Sequence, residues 1–341
     1  MADARRIGGG HNSAADKTWS NTIFMAWLEP CWLQMETLSM LCYLVQSAIV
    51  LIVLYNVITW LLQSRKITSY KNKAVFITGC DIGFGRLTAI ELAKLGFTVF
   101  AGCLKEESIR SIEDEKDGLK GQIIGVKCDV TSDEEAKKAT DFIKDNLKDK
   151  ELWAIINNAG IFTSYGPAEW CDAEIYQKSM EVNFFGAVRV TNPLIPLLRE
   201  SHGRIMVAAS VAARCGTIFG SPYSTAKAAV NSWAEAMAFE YSTFSIKVGV
   251  LEPGVFTTNI IDREAKRRRV EFAWNRLDNS VKGVYGPRYV EELLSWWHKF
   301  IADQSCSDIS LVIDSYVHFV TAEHPKFRYQ PGFFSKWVWG K

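Results

Sequence analysis

From Thr37 to Ser64 no residue carries a formal charge, and the stretch contains the run AIVLIVLYNVITWLL. A helix that crosses the hydrocarbon core of a bilayer needs about 20 mostly apolar residues. The densest part, Met40 to Leu62, meets that length. A cleaved leader would have an apolar core of only roughly 7–15 residues, nearer the N-terminus. A buried core helix is the other alternative. The sequence therefore predicts a spanning helix over 38–64. It is preceded by a polar and then aromatic segment, 1–37, with Trp19, Trp27 and Trp32, and followed by a domain over 65–341. Arg65, Lys66, Lys71 and Lys73 follow the helix, whereas Glu29 and Glu36 precede it, with Lys17 the nearest base. The excess of basic residues after the helix puts the large domain in the cytosol. The expectation is a single-pass protein of the endoplasmic reticulum, with a mitochondrial membrane as the alternative and bilayer lipid as a partner.

The chain has 341 residues, 48% of them hydrophobic, enough for one sizeable α/β domain plus an appendage. Its formal net charge of +1 gives no field that would gather nucleic acid. Eight cysteines are scattered without a CxxC pair, several of them inside apolar runs. They are expected to be buried thiols in a reducing compartment, with no disulfide framework and no metal site. No N-x-[ST] glycosylation acceptor is present, in keeping with a cytosolic domain.

After Ser64, short apolar runs alternate with helix-like segments. The strands are expected at Lys73–Thr78, Phe97–Ala101, Gln122–Val126, Leu152–Ile156, Arg204–Ala208 and Ile246–Leu251. Near-continuous apolar strands with helices between them indicate a doubly wound α/β fold of Rossmann type, a parallel sheet covered on both faces.

Three loops at carboxyl ends of strands carry chemistry, because an open α/β sheet binds its ligand along that edge. The first is Thr78-Gly79-Cys80-Asp81-Ile82-Gly83-Phe84-Gly85. Its glycines allow a tight turn and close approach of backbone to a pyrophosphate, and the helix behind it offers unpaired N–H groups. The spacing is GxxxGxG and not GxGxxG. The second is Asp129-Val130, where a carboxylate meets an adenine amino group or simply starts the next helix. The third is Asn157-Asn158-Ala159-Gly160.

Tyr223 and Lys227 stand four residues apart at the start of a helix and share a face. A nearby ammonium lowers a phenol's pKa, so this tyrosine is a candidate to exchange a proton with an alcohol oxygen. The bland alternative is a surface helix pair. Ser210, thirteen residues earlier, is placed to hydrogen-bond the same oxygen. Asn183, in an otherwise apolar helix, supports either a polar relay or a structural bond to backbone.

Together, TGxxxGxG, NNAG, the Asn183–Ser210–Tyr223–Lys227 set and Pro253-Gly254 resemble the short-chain dehydrogenase/reductase family over about Lys73 to Tyr329. TGCDIGFG, GFTVFAGCL, LWAIINNAG, VNFFG and Tyr285–Tyr289 are most similar to one branch. It holds the type 2 estradiol 17-beta-dehydrogenase, the membrane retinol dehydrogenases and D-beta-hydroxybutyrate dehydrogenase. The resemblance implies Tyr223 as acid/base, Lys227 as ribose anchor and tuner of the tyrosine, Ser210 as donor to the substrate oxygen, and Asn183 as holder of a relay water. It implies cofactor contacts at Thr78, Gly79, Asp81, Ile82, Gly83, Gly85, Asp129, Val130, Asn157, Ala159 and Gly160. Tyr223, Lys227, Pro253, Gly254, Val255 and Thr257 complete that set. Hydride would pass between nicotinamide and a carbinol carbon. A homodimer is expected too.

No acid closes the second strand, where Gly102, Cys103, Leu104 and Lys105 stand, although an acid there selects NAD. Similar branch members share that end, so NAD is expected and NADP, met by Lys105, is the alternative. Residues 256–302 are read as a substrate lid, its aromatics Phe272, Trp274, Trp296 and Trp297 packing it onto the body. Lys266–Arg269 is read as a solvated face, with attraction to anionic lipid as the alternative. Phe333, Phe334, Trp337 and Trp339 suit a membrane interface.

Three functions follow. The first is oxidoreduction of a lipophilic secondary or allylic alcohol or ketone, of 17-beta-hydroxysteroid or retinoid type. The second is a short hydroxy-acid dehydrogenase like the hydroxybutyrate enzyme, which needs a cation such as Arg214 or Arg288 in the pocket. The third is a non-catalytic cofactor-binding membrane protein, against which the intact four-residue set counts.

Overall fold

The computed structural model describes the backbone of residues 15–34 and the whole of residues 35–163, 165–256 and 263–332. Thr257 and the four C-terminal aromatics lie outside these residues. The chain divides into two units, Met1–Leu62 and Gln63–Lys341.

The first unit is dominated by helix α1, Ala15–Ser64. It starts well before residue 38, so much of the segment expected to precede the span continues the same helix. Met35–Ser64, 30 residues, is long and apolar enough to cross a membrane, and none of its apolar window is buried in protein. Leu51, Ile52 and Trp60 are each at least 60% exposed. A helix that is apolar all round is one made for a surrounding apolar phase.

The second unit holds a seven-stranded parallel sheet in the order β3-β2-β1-β4-β5-β6-β7. The strands are β1 Lys73–Thr78, β2 Thr98–Cys103, β3 Gln122–Lys127, β4 Glu151–Asn157, β5 Arg204–Ala208, β6 Lys247–Leu251 and β7 Arg328–Tyr329. Helices α2 (Gly83–Leu95), α3 (Glu106–Glu113), α4 (Asp133–Asn146), α5 (Ala173–Met180), α6 (Gly186–Thr191) and α7 (Ile195–Ser201) connect them. So do α8 (Ser221–Glu240), α9 (Arg263–Asn275), α10 (Asn279–Tyr285), α11 (Tyr289–Gln304) and α12 (Ser310–Thr321). The strand signals held because burial on both faces demands apolar residues at successive positions. Phe76 and Ile155 pack into one layer with Val230 and Met237 of α8, while Val75 and Ile77 pack into the other with Leu92 of α2 and Phe319 of α12.

Strand order reverses between β1 and β4, and the loops after these strands diverge there into a cleft. The stem that follows α1 joins the domain at the other edge. Ile67 N–H donates to Thr321 O at 2.9 Å, and Lys66 pairs with Ala322. Buried Arg204, which opens β5, donates to the carbonyls of Phe319 and Ala322 at 2.6 and 2.8 Å.

Helices α9, α10 and α11, within the segment expected to form a lid, make a separate cluster with Tyr165, Trp170 and Ile175. Trp170 meets Trp274, Tyr285 and Tyr289 at 5.2, 5.1 and 5.6 Å. The basic run on α9 is not a uniform solvated face. Lys266 is buried over the Trp297 ring at 4.4 Å, and Arg267 is held by Glu271 and Glu291.

Candidate active site

The glycine turn has the geometry its spacing suggests. Gly79 and Gly83 have φ of +71° and +67°, a region that disfavours side chains. A Cβ on Gly85 would strike the Gly79 carbonyl oxygen at 2.4 Å, so α2 packs directly onto the end of β1. Gly83 has open space where a Cβ would stand. Its helix begins after Ile82, which supplies no side-chain cap. The first amides and the positive end of the helix dipole thus face a cleft of about 240 Å³. That arrangement fits a pyrophosphate.

Thr78 is buried, and its hydroxyl accepts from the amides of Asn158 and Ala159 at 3.1 and 3.0 Å, tying the ends of β1 and β4 together. Asn157 ends β4 with its amide turned into the core, donating to Thr191 Oγ1 at 2.8 Å. Its neighbour Asn158 lines the cleft instead, with Ala159 and Gly160. Side chains alternate along a strand, so one residue of register decides which asparagine faces the ligand. Asp129 accepts from the amide and hydroxyl of Thr131 at 2.9 and 2.7 Å, the turn-starting role. Val130 packs against Gly186 in the core.

Asp81 resolves the missing acid of β2 in an unexpected way. Its carboxylate reaches across from the glycine turn and accepts from the amides of Leu104 and Lys105 at 2.9 and 3.0 Å. A carboxylate therefore stands at the end of β2, although it comes from the loop after β1. Cys103 is fully buried and Lys105 is exposed. Lys127 donates to the Leu104 carbonyl.

The reacting groups gather between β4, β5 and α8. Strand β5 ends at Ala208, and Ser210 caps the following turn, Val211–Ala213, accepting from Ala212 N at 3.1 Å. Tyr223 is half-buried on the first turn of α8. Burial raises its pKa, and the neighbouring Ser210 hydroxyl opposes that rise. Lys227 is buried one turn further, its Nζ donating to Ala208 O at 2.7 Å and lying 5.7 Å from the Tyr223 ring centre. Burial pushes its pKa down to about 8. The lysine was expected to lower the phenol's pKa. Burial, the largest influence on each, moves the two groups in opposite directions, the phenol up and the ammonium down.

Asn183 sits in a π-helical turn, Glu181–Phe185, a local widening frequent at functional sites. Its amide donates to Ile161 O and Ser179 O at 3.0 and 3.1 Å, and its oxygen accepts from Ile161 N at 3.1 Å. The structural bonding is thus present. A Cβ on Gly160 would lie 2.9 Å from Asn183 Oδ1 and 3.3 Å from Lys227 Nζ, so these groups converge on one glycine. Pro253 lines the cleft, Gly254 N–H donates to Pro331 O at 3.2 Å, and the Val255 carbonyl accepts from Cys306 N–H at 2.9 Å.

Sequence reading missed Asn158, Phe162 and Tyr316, all of which line the cleft. Phe162 packs edge-on to Tyr223 at 4.9 Å and stacks on Trp297 of the lid at 5.3 Å. The doubled asparagine was a usable signal for Asn158. Nothing local marks Phe162 or Tyr316.

A phosphate-ready glycine turn and a Ser–Tyr–Lys set on the same edge of a parallel sheet define a nicotinamide-dependent oxidoreductase of CH–OH groups. The family pattern described as short chain dehydrogenase matches residues 73–269. The 3beta-hydroxysteroid dehydrogenase dhs-16 of Caenorhabditis elegans is 37% identical over 265 residues, 76% of this chain and 68% of that protein. Retinol dehydrogenase 16 of Mus musculus is 34% identical, covering 80% of this chain and 84% of its own length. A short chain dehydrogenase/reductase from Burkholderia phymatum in complex with NAD superposes with a TM-score of 0.64 at 20% identity, over 77% of this chain and 90% of that one. Another from Burkholderia cenocepacia, in complex with NADP, gives 0.57 at 21% identity over 78% and 90%. The chain belongs to the short-chain dehydrogenase family.

Proposed function

We propose that this chain is a membrane-anchored, NAD-preferring oxidoreductase of lipophilic secondary or allylic alcohols and their ketones or aldehydes, of the steroid or retinoid kind. One observation carries the substrate class. The wall beside Tyr223 is Phe162 stacked on Trp297, and Lys227 is the sole cation among the described residues lining the cleft. A flat apolar body finds an aromatic wall there, and among the described residues lining the cleft a carboxylate finds no cation other than the lysine that serves the ribose. Relatives named as 3beta-hydroxysteroid, 17-beta-hydroxysteroid and retinol dehydrogenases support the same reading.

When bound, the nicotinamide dinucleotide supplies the hydride acceptor and donor. The protein's own groups do the rest. Ser210 and Tyr223 hydrogen-bond the substrate oxygen; on reduction the Tyr223 phenol gives its proton to the carbonyl oxygen and is left as phenolate, and on oxidation that phenolate takes the alcohol proton back. Lys227 holds the ribose, and the turn from Gly79 to Gly85 receives the pyrophosphate. Asp81 offers its carboxylate to the adenosine ribose hydroxyls and repels a 2′-phosphate, which favours NAD. Asn183 anchors the relay side of the site through the Ile161 backbone.

The apolar helix over 35–64 holds the protein in a bilayer, where such substrates concentrate, and the basic residues after it place the domain in the cytosol, at the endoplasmic reticulum. Protease added to intact microsomes is expected to digest the domain after Arg65, and protection without detergent would reverse that orientation. The function is tested by assaying detergent-purified full-length protein with NAD against steroid alcohols, retinol and 3-hydroxybutyrate. Turnover confined to 3-hydroxybutyrate, or no turnover of any alcohol or ketone, would sink it.

A further inference from the structure

Helix α12 lies beyond the residues that match the family, yet it sends one side chain into the cofactor cleft. Tyr316 is fully buried, and its hydroxyl donates to Asn158 Oδ1 at 3.1 Å. The nitrogen of the same amide donates to Thr78 O and Gly79 O at 3.0 and 3.1 Å. A carboxamide has two donor hydrogens and an acceptor oxygen at opposite ends. Here both donors are spent on the carbonyls that open the glycine turn, and the acceptor is spent on Tyr316. A half-turn of the amide would set its oxygen against two carbonyl oxygens.

The amide is also wedged in place. Its nitrogen lies 3.2 Å from where a Cβ on Gly79 would stand and 2.5 Å from one on Gly85. Asn158 is thus the keystone between the first and last glycines of the turn. Packing alone does not tell oxygen from nitrogen, because the two ends of the amide are nearly the same size. The Thr78 and Gly79 carbonyls do, and the hydroxyl of Tyr316 then supplies the donor for the amide oxygen that they leave facing α12.

We propose that Tyr316 is a positioning residue of the cofactor site. Its hydroxyl anchors the oxygen end of the Asn158 amide, whose nitrogen clamps the Thr78 and Gly79 carbonyls and keeps the turn in its phosphate-receiving shape. Its ring forms part of the cleft wall. Removing the hydroxyl leaves a buried amide oxygen without its donor and lets the turn relax. The loss falls on cofactor binding, because Tyr316 has no part in the Ser210–Tyr223–Lys227 group.

The test compares full-length wild type with Tyr316→Phe, which deletes one oxygen and keeps the ring. NADH is titrated by quenching of tryptophan fluorescence, and NAD is varied at saturating alcohol. The expected result is a Kd for NADH and a KM for NAD raised about five- to tenfold, with kcat within about twofold. In Asn158→Ala the Tyr316→Phe change is expected to add no further loss, since the partner is already gone. Unchanged cofactor affinity in Tyr316→Phe, whatever happens to Tm or kcat, overturns the inference, and so does full additivity with Asn158→Ala. Titrating NADP in parallel keeps the two readings apart. A wild type that prefers NADP refutes the NAD preference, and the same Tyr316 contrast is then read on NADP.

Discussion

Arg214 Nε lies 2.8 Å from Oε2 of Glu252, a carboxylate with no exposed surface. This pair removes Arg214 from the role of substrate anchor, and Arg288 is no substitute, with its side chain 90% exposed. Glu252 also holds Arg328 at 2.5 Å and Gln330 at 2.9 Å. The loop that carries Ser210 is thereby fastened to the end of β6, and Val211 N–H adds a bond to Pro253 O at 3.1 Å. Arg214→Met leaves Glu252 with its other partners. It should therefore cost about 1–3 kcal/mol of stability and not the full penalty of an orphaned buried charge. Because Ser210 shifts, kcat should fall more than KM for the cofactor rises. Thermal melts and steady-state kinetics check both, and a raised KM with normal kcat would contradict the placement.

Tyr223→Phe should retain the fold and NADH binding while kcat drops by about 10²–10⁴-fold. The reason is geometric. The change removes only the hydroxyl beside Ser210, and the ring stays packed on Phe162 at 4.9 Å. A variant within a few-fold of wild type would show that another group moves the proton.

Lys227→Met should abolish activity yet raise stability in the absence of cofactor at pH 7. The folded pKa lies below the ordinary lysine value, at about 8 instead of 10.5, so the unfolded chain binds the extra proton between those limits. The cost of burying the ammonium is therefore fully present below pH 8 and fades as pH rises towards 10.5. It amounts to about 3 kcal/mol by the size of that shift, before the lost bond to Ala208 O is subtracted. Tm measured from pH 6 to 10.5 should show the variant's advantage shrinking with pH. An advantage that grew with pH would refute the assignment.

Asp81→Asn keeps an acceptor for only one of the Leu104 and Lys105 amides, which bond separate carboxylate oxygens, and removes the charge at the end of β2. The preference for NAD over NADP in kcat/KM should fall about tenfold. Cys103→Asp, which would put an acid on β2 itself, should destabilise the protein, because Cys103 is fully buried and a carboxylate there would be unpaired. An unchanged cofactor ratio in Asp81→Asn would return the question to Lys105.

What could be read from the chain alone was whatever a local pattern encodes. An uncharged run longer than a bilayer is thick, apolar runs of strand length and glycines at positions of positive φ each act within a few residues. They determined the apolar helix, the doubly wound sheet, the glycine turn and the Ser210–Tyr223–Lys227 set. Strand ends were legible to within a residue or two, because burial on both faces leaves the limits of a run soft. The choice between Asn157 and Asn158 hung on that last residue.

Contacts between distant segments belonged to the tertiary structure. Asp81 serves the end of a strand it does not belong to. Arg214 is claimed by Glu252, 38 positions away, and Asn158 by Tyr316, 158 positions away. The Phe162–Trp297 wall joins a strand-end loop to a lid helix. No periodicity announces such pairs, because chain closure over long separations is decided by the packing of the whole core and leaves no mark on the neighbouring sequence. The same holds for Lys227. Its spacing from Tyr223 was plain in the sequence, but only its burial in the fold pushes its pKa down to about 8.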